Sequence, residues 1–495
     1  GSLTDYQKSL LSVTGNMRRG NVASSLTADD SFNKRRIDIN RDNFTDAPLF
    51  ERFSVINQWM ADLGNSSVYL FGRYYYEDRF GGEMGWKQNL HRGGTKVYGE
   101  SVFTNRFELL GGYMHHISPA SDLKINISGS AHNQDSYYGS NYYYGDQKIA
   151  YGDVIFTQRR GVLTTYSAGA ALKYEYYDDN TPATASPVST QINSPSENAV
   201  YSAFFQAEHR FSDLISALAG IRYNYHSVHK SILQPRLSLR LDLSESSSLR
   251  ISGGTGFRNV NIFTEDHSAL TGAREVVIQS DLKPEKSING SATFVQDLDF
   301  GNQYARIEVN AHYTRFSDKI LPDYNTDQTK IIYKNSAGYT ISNGVSLSFE
   351  YQFLFPARLK LSYDFLDTYT MEENVRKETE FNPGHSFNVL ADYDFESIPL
   401  EINISGKITG AQKMPEITGE FARPLYSPAY SVWDAKLTWS YSRVKLFAGI
   451  NNLFDYTQDS PLIDPGNPFG DNFDTIYIYG PILGREFILG FDIEI

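Results

Sequence analysis

The sequence predicts an all-β protein, a large antiparallel transmembrane β-barrel of the 22-stranded type, with about 21 strands in this chain. Three observations carry the prediction. Apolar and polar residues alternate with a period of two over long runs. Tight turns and long connections take turns along the chain. The average is hydrophilic, with a mean hydropathy of -0.41, yet the chain holds 35 tyrosines and 31 phenylalanines.

The alternation is clearest in four runs. Leu233, Leu237, Leu239, Leu241 and Leu243 alternate with Gln234, Arg236, Ser238, Arg240 and Asp242. Ile215, Ala217, Ala219, Ile221, Tyr223 and Tyr225 alternate with Ser216, Arg222, Asn224 and His226. Ile402, Ile404 and Ile408 stand against Glu401, Asn403, Ser405 and Lys407, and Phe487, Leu489, Phe491 and Ile493 against Glu486, Asp492 and Glu494. A helix would repeat every 3.6 residues. A soluble β-sandwich also alternates, but its strands usually have about 5 or 6 residues, and these runs reach roughly 10 to 16. Tyr and Phe gather toward the run ends, as an interfacial girdle would.

The connections follow in order. Tight turns fall near Asn16–Gly20, Gly64–Ser66, Pro119–Asp122, Arg160–Gly161 and Ser212–Asp213. They continue near Ser244–Ser247, Gly301–Gln303, Pro356–Ala357, Ser397–Pro399 and Ser442–Arg443. Longer connections lie between them, as in outer-membrane barrels with short periplasmic turns and long external loops. Each tight turn joins two strands, and the terminal strand Glu486–Ile495 adds one more. A single-chain bacterial barrel closes on an even number. A further strand is therefore expected before residue 1, with Asp5–Thr14 the second of the ring.

Composition excludes several functions. The 495 residues include no cysteine, which rules out thiolate metal sites, disulfide scaffolds and cysteine nucleophiles. No run approaches the ~18 apolar residues of a transmembrane helix. A net charge of -13 argues against nucleic acid as a partner. No GxSxG or HExxH occurs, and Gly253–Gly256 lies within a strand pattern rather than before a helix, so no enzyme is expected.

Three stretches resemble the barrel of TonB-dependent outer-membrane receptors. The first is PRLSLRLDLSESSSLRISGGTGFRNVNIFTE followed by SDLKPEKSIN, within Gln234–Asn289. The second is FAGINNLFDYTQ at Phe447–Gln458, similar to that family's penultimate strand and its exit. The third is GREFILGFDIEI at Gly484–Ile495, similar to the closing strand, though such strands usually end in an aromatic and this one ends in Ile495. The style resembles receptors of Bacteroidetes-type bacteria. The resemblance implies residues 1–495 as the receptor β-barrel, without the family's N-terminal plug and first strand. It also implies an outer-membrane location and active uptake of a scarce nutrient, an iron chelate (siderophore or haem) or cobalamin, driven by TonB through the plug. Implied partners are outer-membrane lipid, lipopolysaccharide, the small-molecule ligand and a surface lipoprotein. The alternatives are a passive porin or plugless barrel, and a scaffold for that lipoprotein.

Candidate sites follow from residue type and spacing. Asp38, Asn40, Asp42 and Asp46 stand at positions 1, 3, 5 and 9 of an oxygen-rich segment, the front of a calcium loop. No Glu occupies the twelfth place, and a turn rich in Asx residues would read the same way. No cofactor is required, and structural calcium is the one metal expected. Trp86 and His91 sit in one external loop; Tyr137, Tyr138, Tyr142, Tyr143 and Tyr144 crowd the next. Such aromatics offer stiff contact area with polar tips to a chelate or corrin. The segment Arg258–Lys286, read as the longest loop, adds His267 for haem iron and Arg274 for anionic groups.

Overall fold

The computed structural model describes all residues except 187–188, 260–273, 279–281, 325, 328 and 495. Its barrel strands are β1 (Ser2–Thr4), β2 (Lys8–Arg19), β3 (Val22–Asn33), β4 (Leu49–Asp62), β5 (Ser66–Gly82) and β6 (Gly99–Ser118). There follow β7 (Ser121–Tyr138), β8 (Asn141–Arg160), β9 (Thr164–Asp179), β10 (Ser196–Arg210), β11 (Ile215–His226) and β12 (Lys230–Ser244). Next come β13 (Ser247–Arg258), β14 (Glu285–Asp299), β15 (Tyr304–Ser317), β16 (Tyr339–Gln352) and β17 (Ala357–Glu372). The ring ends with β18 (His385–Asp394), β19 (Leu400–Thr409), β20 (Tyr430–Tyr441), β21 (Val444–Asn451) and β22 (Glu486–Ile493).

Each strand pairs antiparallel with its sequence neighbours, and the 22 form a closed ring. One further short strand, Val375–Glu378, extends the β17 hairpin. Closure falls to three residues. Leu3 opposes Leu489 of β22 on one side and Ser9 of β2 on the other. The Gly1 ammonium donates to the Phe491 carbonyl at 2.6 Å. The even number expected from a strand before residue 1 is thus reached inside the chain, by Ser2–Thr4. All ten tight turns of the sequence reading lie at one end; the first sits slightly later, at residues 20–21.

The period of two sorts side chains between lipid and lumen. On β12 the leucines point outward, Leu237 with 59% of its surface exposed, while Gln234, Arg236 and Arg240 point inward. The lumen side is polar and mostly charge-paired. Arg52 of β4 meets Glu77 of β5 at 2.5 Å, and the Tyr75 hydroxyl donates to the same carboxylate at 2.8 Å. Asp122 takes Arg159 at 2.5 Å and His116 at 2.6 Å. His115, its chain neighbour, faces outward and bonds Ser66 instead.

The wall is uneven in height. β6 and β8 have 20 residues each and β7 has 18, whereas β21 and β22 have 8. At ~3.3 Å per residue and a tilt of about 45°, the tall strands rise roughly 45 Å, well beyond an apolar band of ~25 Å. By the same arithmetic the low strands rise only about 19 Å and stop short of it. From the low side come the two long connections 410–429 and 452–485, which fold over the mouth toward the tall side. Residues 452–485, not the Arg258–Lys286 segment, form the longest connection.

Candidate functional site

Several loops pack against one another over the external mouth and form a roof there. Phe473 of the 452–485 connection stacks on Phe44 at 5.6 Å and meets Tyr98 edge-on at 4.8 Å. Ile320, Tyr324, Ile331 and Tyr333 form a buried cluster to which Val276, Ile278 and Ile476 contribute. Val276 and Ile278 also pack on Val102, Tyr138 and Tyr143, at the top of the tall wall. Ile476 joins Met414, Ile463 and Tyr477. A small sheet ties two loops together: Glu275–Ile278 runs parallel to Lys330–Asn335, which pairs antiparallel with Ile320–Asp323.

One ion pair is buried within this roof. Arg274 Nε lies 2.7 Å from Asp474 Oδ2, with the two side chains only 9% and 11% exposed. Arg274 also donates to the Tyr324 carbonyl at 3.2 Å, and Asp474 accepts from the Ile476 N–H at 3.0 Å. Burial pushes the Asp474 carboxyl above its ordinary range, and the Arg274 charge pulls it back.

Under the roof lies a cavity of about 340 Å³. Tyr98, Glu100, Val102 and Tyr138 line it from the tall wall; Leu462, Phe473 and Ile482 line it from the long connection. Its surface is mainly apolar, with Arg79, Glu100 and Asp46 at the edges, a composition suited to a small molecule held by shape and a few polar contacts.

The structure divides the sequence-predicted residues. Tyr137 to Tyr144 are not a loop but the two arms of the β7–β8 hairpin, whose tip is Gly139 and Ser140. Alternation therefore splits them. Tyr138 and Tyr143 are buried on the mouth side. Tyr137, Tyr142 and Tyr144 face outward, and Tyr142 is 45% exposed. The Tyr137 and Tyr142 rings pair at 5.0 Å, and Arg92 stacks over Tyr137 at 4.6 Å while bonding Asp135 at 2.7 Å. Trp86 is 1% exposed, but on the outer surface of the wall, against Phe80 at 5.3 Å. Gly99 lets it lie there, since a Cβ at that position would overlap the indole. Arg36 caps the segment by donating to the Trp86 carbonyl at 2.7 Å. His91 ends the short helix Gln88–His91 and accepts the Lys87 N–H at 2.9 Å through Nδ1. The part of loop 83–98 that holds Trp86 and His91 thus drapes over the outside of the barrel, and these two pack the loop there, while Tyr98 at its end turns into the mouth. Arg274 belongs to the roof. His267 lies outside the described residues.

The expected calcium loop folds as a hydrogen-bonded turn. Asp38 accepts the Asp42 and Asn43 N–H groups at 3.2 and 3.0 Å. Asp42 accepts from Phe44 N–H and from the Asn40 amide, both at 2.8 Å, and Asp46 accepts from Ile39 N–H at 2.5 Å. Among the described residues no three His, Asp or Glu side chains converge as a metal would require. Asn43 takes the left-handed conformation, φ 72°, that a glycine fills in a calcium loop. In this arrangement the Asp38, Asp42 and Asp46 carboxylates are each hydrogen-bonded to backbone N–H groups of the turn. Burial pushes the Asp46 carboxyl up to about 6, with Asp42 and Asp38 adding to the shift against the Ile39 hydrogen bond.

The motif residues anchor loop bases. Glu285, from LKPEKS, bonds Arg258, from GFRN, at 3.0 Å and accepts the Ile320 N–H at 3.0 Å. Asn452 and Asp455, from NNLFD, both have positive φ. Asn452 exchanges two hydrogen bonds with the Tyr456 backbone, and Asp455 accepts the Arg485 N–H at 2.6 Å. These bonds clamp the two ends of the 452–485 connection at the rim. Sequence reasoning missed the roof residues Phe473, Asp474, Ile476 and Tyr477. The available signal was their density: a solvated connection has no reason to hold so many apolar and aromatic side chains.

A closed antiparallel ring, lipid-facing leucines, a polar lumen and a loop-roofed mouth define an outer-membrane β-barrel. The chain belongs to the TonB-dependent receptor family, whose receptor-like β-barrel model matches residues 5–453. No curated protein matches the sequence. Among solved structures it is similar to the siderophore receptor PirA from Acinetobacter baumannii, at 14% identity and TM-score 0.73, covering 98% of this chain and 77% of that one. The FrpB iron transporter from Neisseria meningitidis gives 12% identity and TM-score 0.73, covering 99% and 80%. The ferric-catecholate import receptor Fiu from Escherichia coli K12 gives 14% and 0.70, covering 99% and 80%. These relatives are transport receptors, not enzymes.

Proposed function

We propose that this barrel belongs to a receptor that takes up a ferric chelate of the siderophore class across the outer membrane, driven by TonB. The mouth cavity, lined by the 34–48 loop, the upper ends of β5 to β7 and the 452–485 connection, is the observation that carries the reading. The packed loops wall a largely apolar recess of small-molecule size above a polar lumen, which supports capture before passage over a passive pore. The likeness to siderophore and iron receptors supports iron over other nutrients. Haem and cobalamin, also in keeping with the family, become outcomes of the test.

The test is growth of a strain lacking the gene, with iron supplied only as a ferric catecholate, a ferric hydroxamate or haem, and separately with cobalamin limiting. Loss of growth on one ferric chelate is expected. Loss on haem or cobalamin alone moves the ligand class, and normal growth on every source removes the assignment.

A further inference from the structure

We infer that two of the tight turns, 353–356 and 395–399, lie inside the bilayer, covered by phospholipid of the periplasmic leaflet. Their apolar side chains stand on the outer face of the ring, so whatever occupies the lumen is on the other side of the wall.

The wall is lowest along one arc. β18 and β19 have 10 residues each, and β21 and β22 have 8. The two shortest rise about 19 Å, roughly 6 Å less than an apolar band of ~25 Å. Their outward residues show the same deficit. Phe487, Leu489, Phe491 and Ile493 leave β22 apolar from one end to the other. On the tall side, β6 follows its outward Leu109 and Phe107 with Asn105, and so passes out of the band. At the external end of the low arc the chain turns charged at once. Asp455 accepts the Arg485 N–H, and Asp5 accepts the Phe487 N–H at 3.0 Å. The missing height therefore falls at the tight-turn end.

There the apolar surface runs on past the strand ends. A ladder of rings leaves β16 and crosses both turns. Phe349 stacks with Tyr351 at 6.2 Å, Tyr351 meets Phe353 edge-on at 4.7 Å, and Phe353 stacks with Phe355 at 4.9 Å. Phe355 reaches Tyr393 of β18 at 6.3 Å, and Tyr393 meets Phe395 edge-on at 4.8 Å. Phe349 and Tyr351 share the outward face of β16 with Leu347, so the ladder is continuous with the lipid-facing surface. At the tips, Leu354 and Ile398 are 69% and 50% exposed. The Asp394 N–H donates to the Pro356 carbonyl at 2.8 Å and holds the two turns together.

Water is the wrong solvent for this surface. Glu396 is the one charge in the two turns, whereas the turn 244–247, elsewhere on the same rim, reads Ser-Glu-Ser-Ser. Contiguous apolar side chains left in water cost free energy in proportion to their area, and lipid removes that cost. A wall shorter than the hydrocarbon either thins the bilayer or is extended. Here the turns supply the extension, with aromatic rings at the depth where a lipid interface favours them.

The chain has no cysteine, so single-cysteine spin labels report one site each. L354C, I398C and, for contrast, E245C are labelled and reconstituted in vesicles of phosphatidylethanolamine and phosphatidylglycerol. Oxygen, which concentrates in lipid, should relax the labels at 354 and 398 more strongly than a water-soluble nickel chelate does. At 245 the order should reverse. The unmodified chain gives a second reading with a phospholipid that carries a diazirine on its acyl chain. Light-induced adducts are expected on peptides holding 353–356 and 395–399 and not on 244–247. Nickel-dominated relaxation at both 354 and 398, as a thinned bilayer or a soluble partner would give, overturns the inference, and so do adducts confined to the strands.

Discussion

Replacing Arg274 by alanine should open the roof. The pair it forms with Asp474 is nearly closed to water, and Asp474 already bears a desolvation penalty that Arg274 offsets. Removing one member of a buried pair leaves the other charge uncompensated, at a cost of about 3–5 kcal/mol. At about 3 kcal/mol, local opening becomes roughly 150-fold more frequent. Hydrogen exchange read by mass spectrometry on peptides covering 470–480 measures this directly. Exchange there should quicken by that factor, while peptides from β6 to β8 stay protected. The pH dependence has a defined sign. A carboxyl whose folded pKa is raised penalises the folded roof above that pKa, and the penalty fades as pH falls toward the ordinary range near about 4. Without Arg274 the Asp474 pKa climbs further, so acid should restore protection in R274A. In D474N the unpaired arginine keeps its charge, and acid should restore nothing. Equal exchange in wild type and R274A, or acid rescue of both variants alike, would refute the assignment of this pair as the roof's latch.

Three further outcomes are expected. Trp86→Ala should cost loop 83–98 about 3–5 kcal/mol of local stability, since a fully buried indole is removed; proteolysis within the loop should accelerate while barrel melting stays unchanged. Asp46→Asn should stabilise the 34–48 turn above pH 6 and do little near about pH 4, because the wild-type carboxyl with its pKa of about 6 is charged and penalised only at the higher pH; exchange of the Ile39 amide reports this. Tyr138→Ala should weaken ligand uptake about tenfold or more as a buried aromatic lining the cavity, whereas Tyr142→Ala, on the outer face, should leave uptake kinetics unchanged.

The sequence by itself determined the barrel. Alternation is a local property, and a strand buried against lipid on one face and wet on the other must write it into every second residue. Leu237 and Arg236 declare their faces without any knowledge of their neighbours. The ten tight turns were legible for the same reason, as each is set by a few consecutive residues. Ring closure was not, because Ser2–Thr4 becomes a strand only through partners nearly the whole chain away, at Ile488–Gly490. The roof followed the same rule. Arg274 and Asp474 are 200 residues apart, and their pairing depends on how two loops fold over a wall whose height differs from side to side. Loop aromatics carried the least information of all. Trp86 lies outside, Tyr138 inside, and Tyr137 and Tyr142 outside again, by the parity of a hairpin that only pairing fixes. Composition marked these residues as contact surface; tertiary structure alone decided what each one touches.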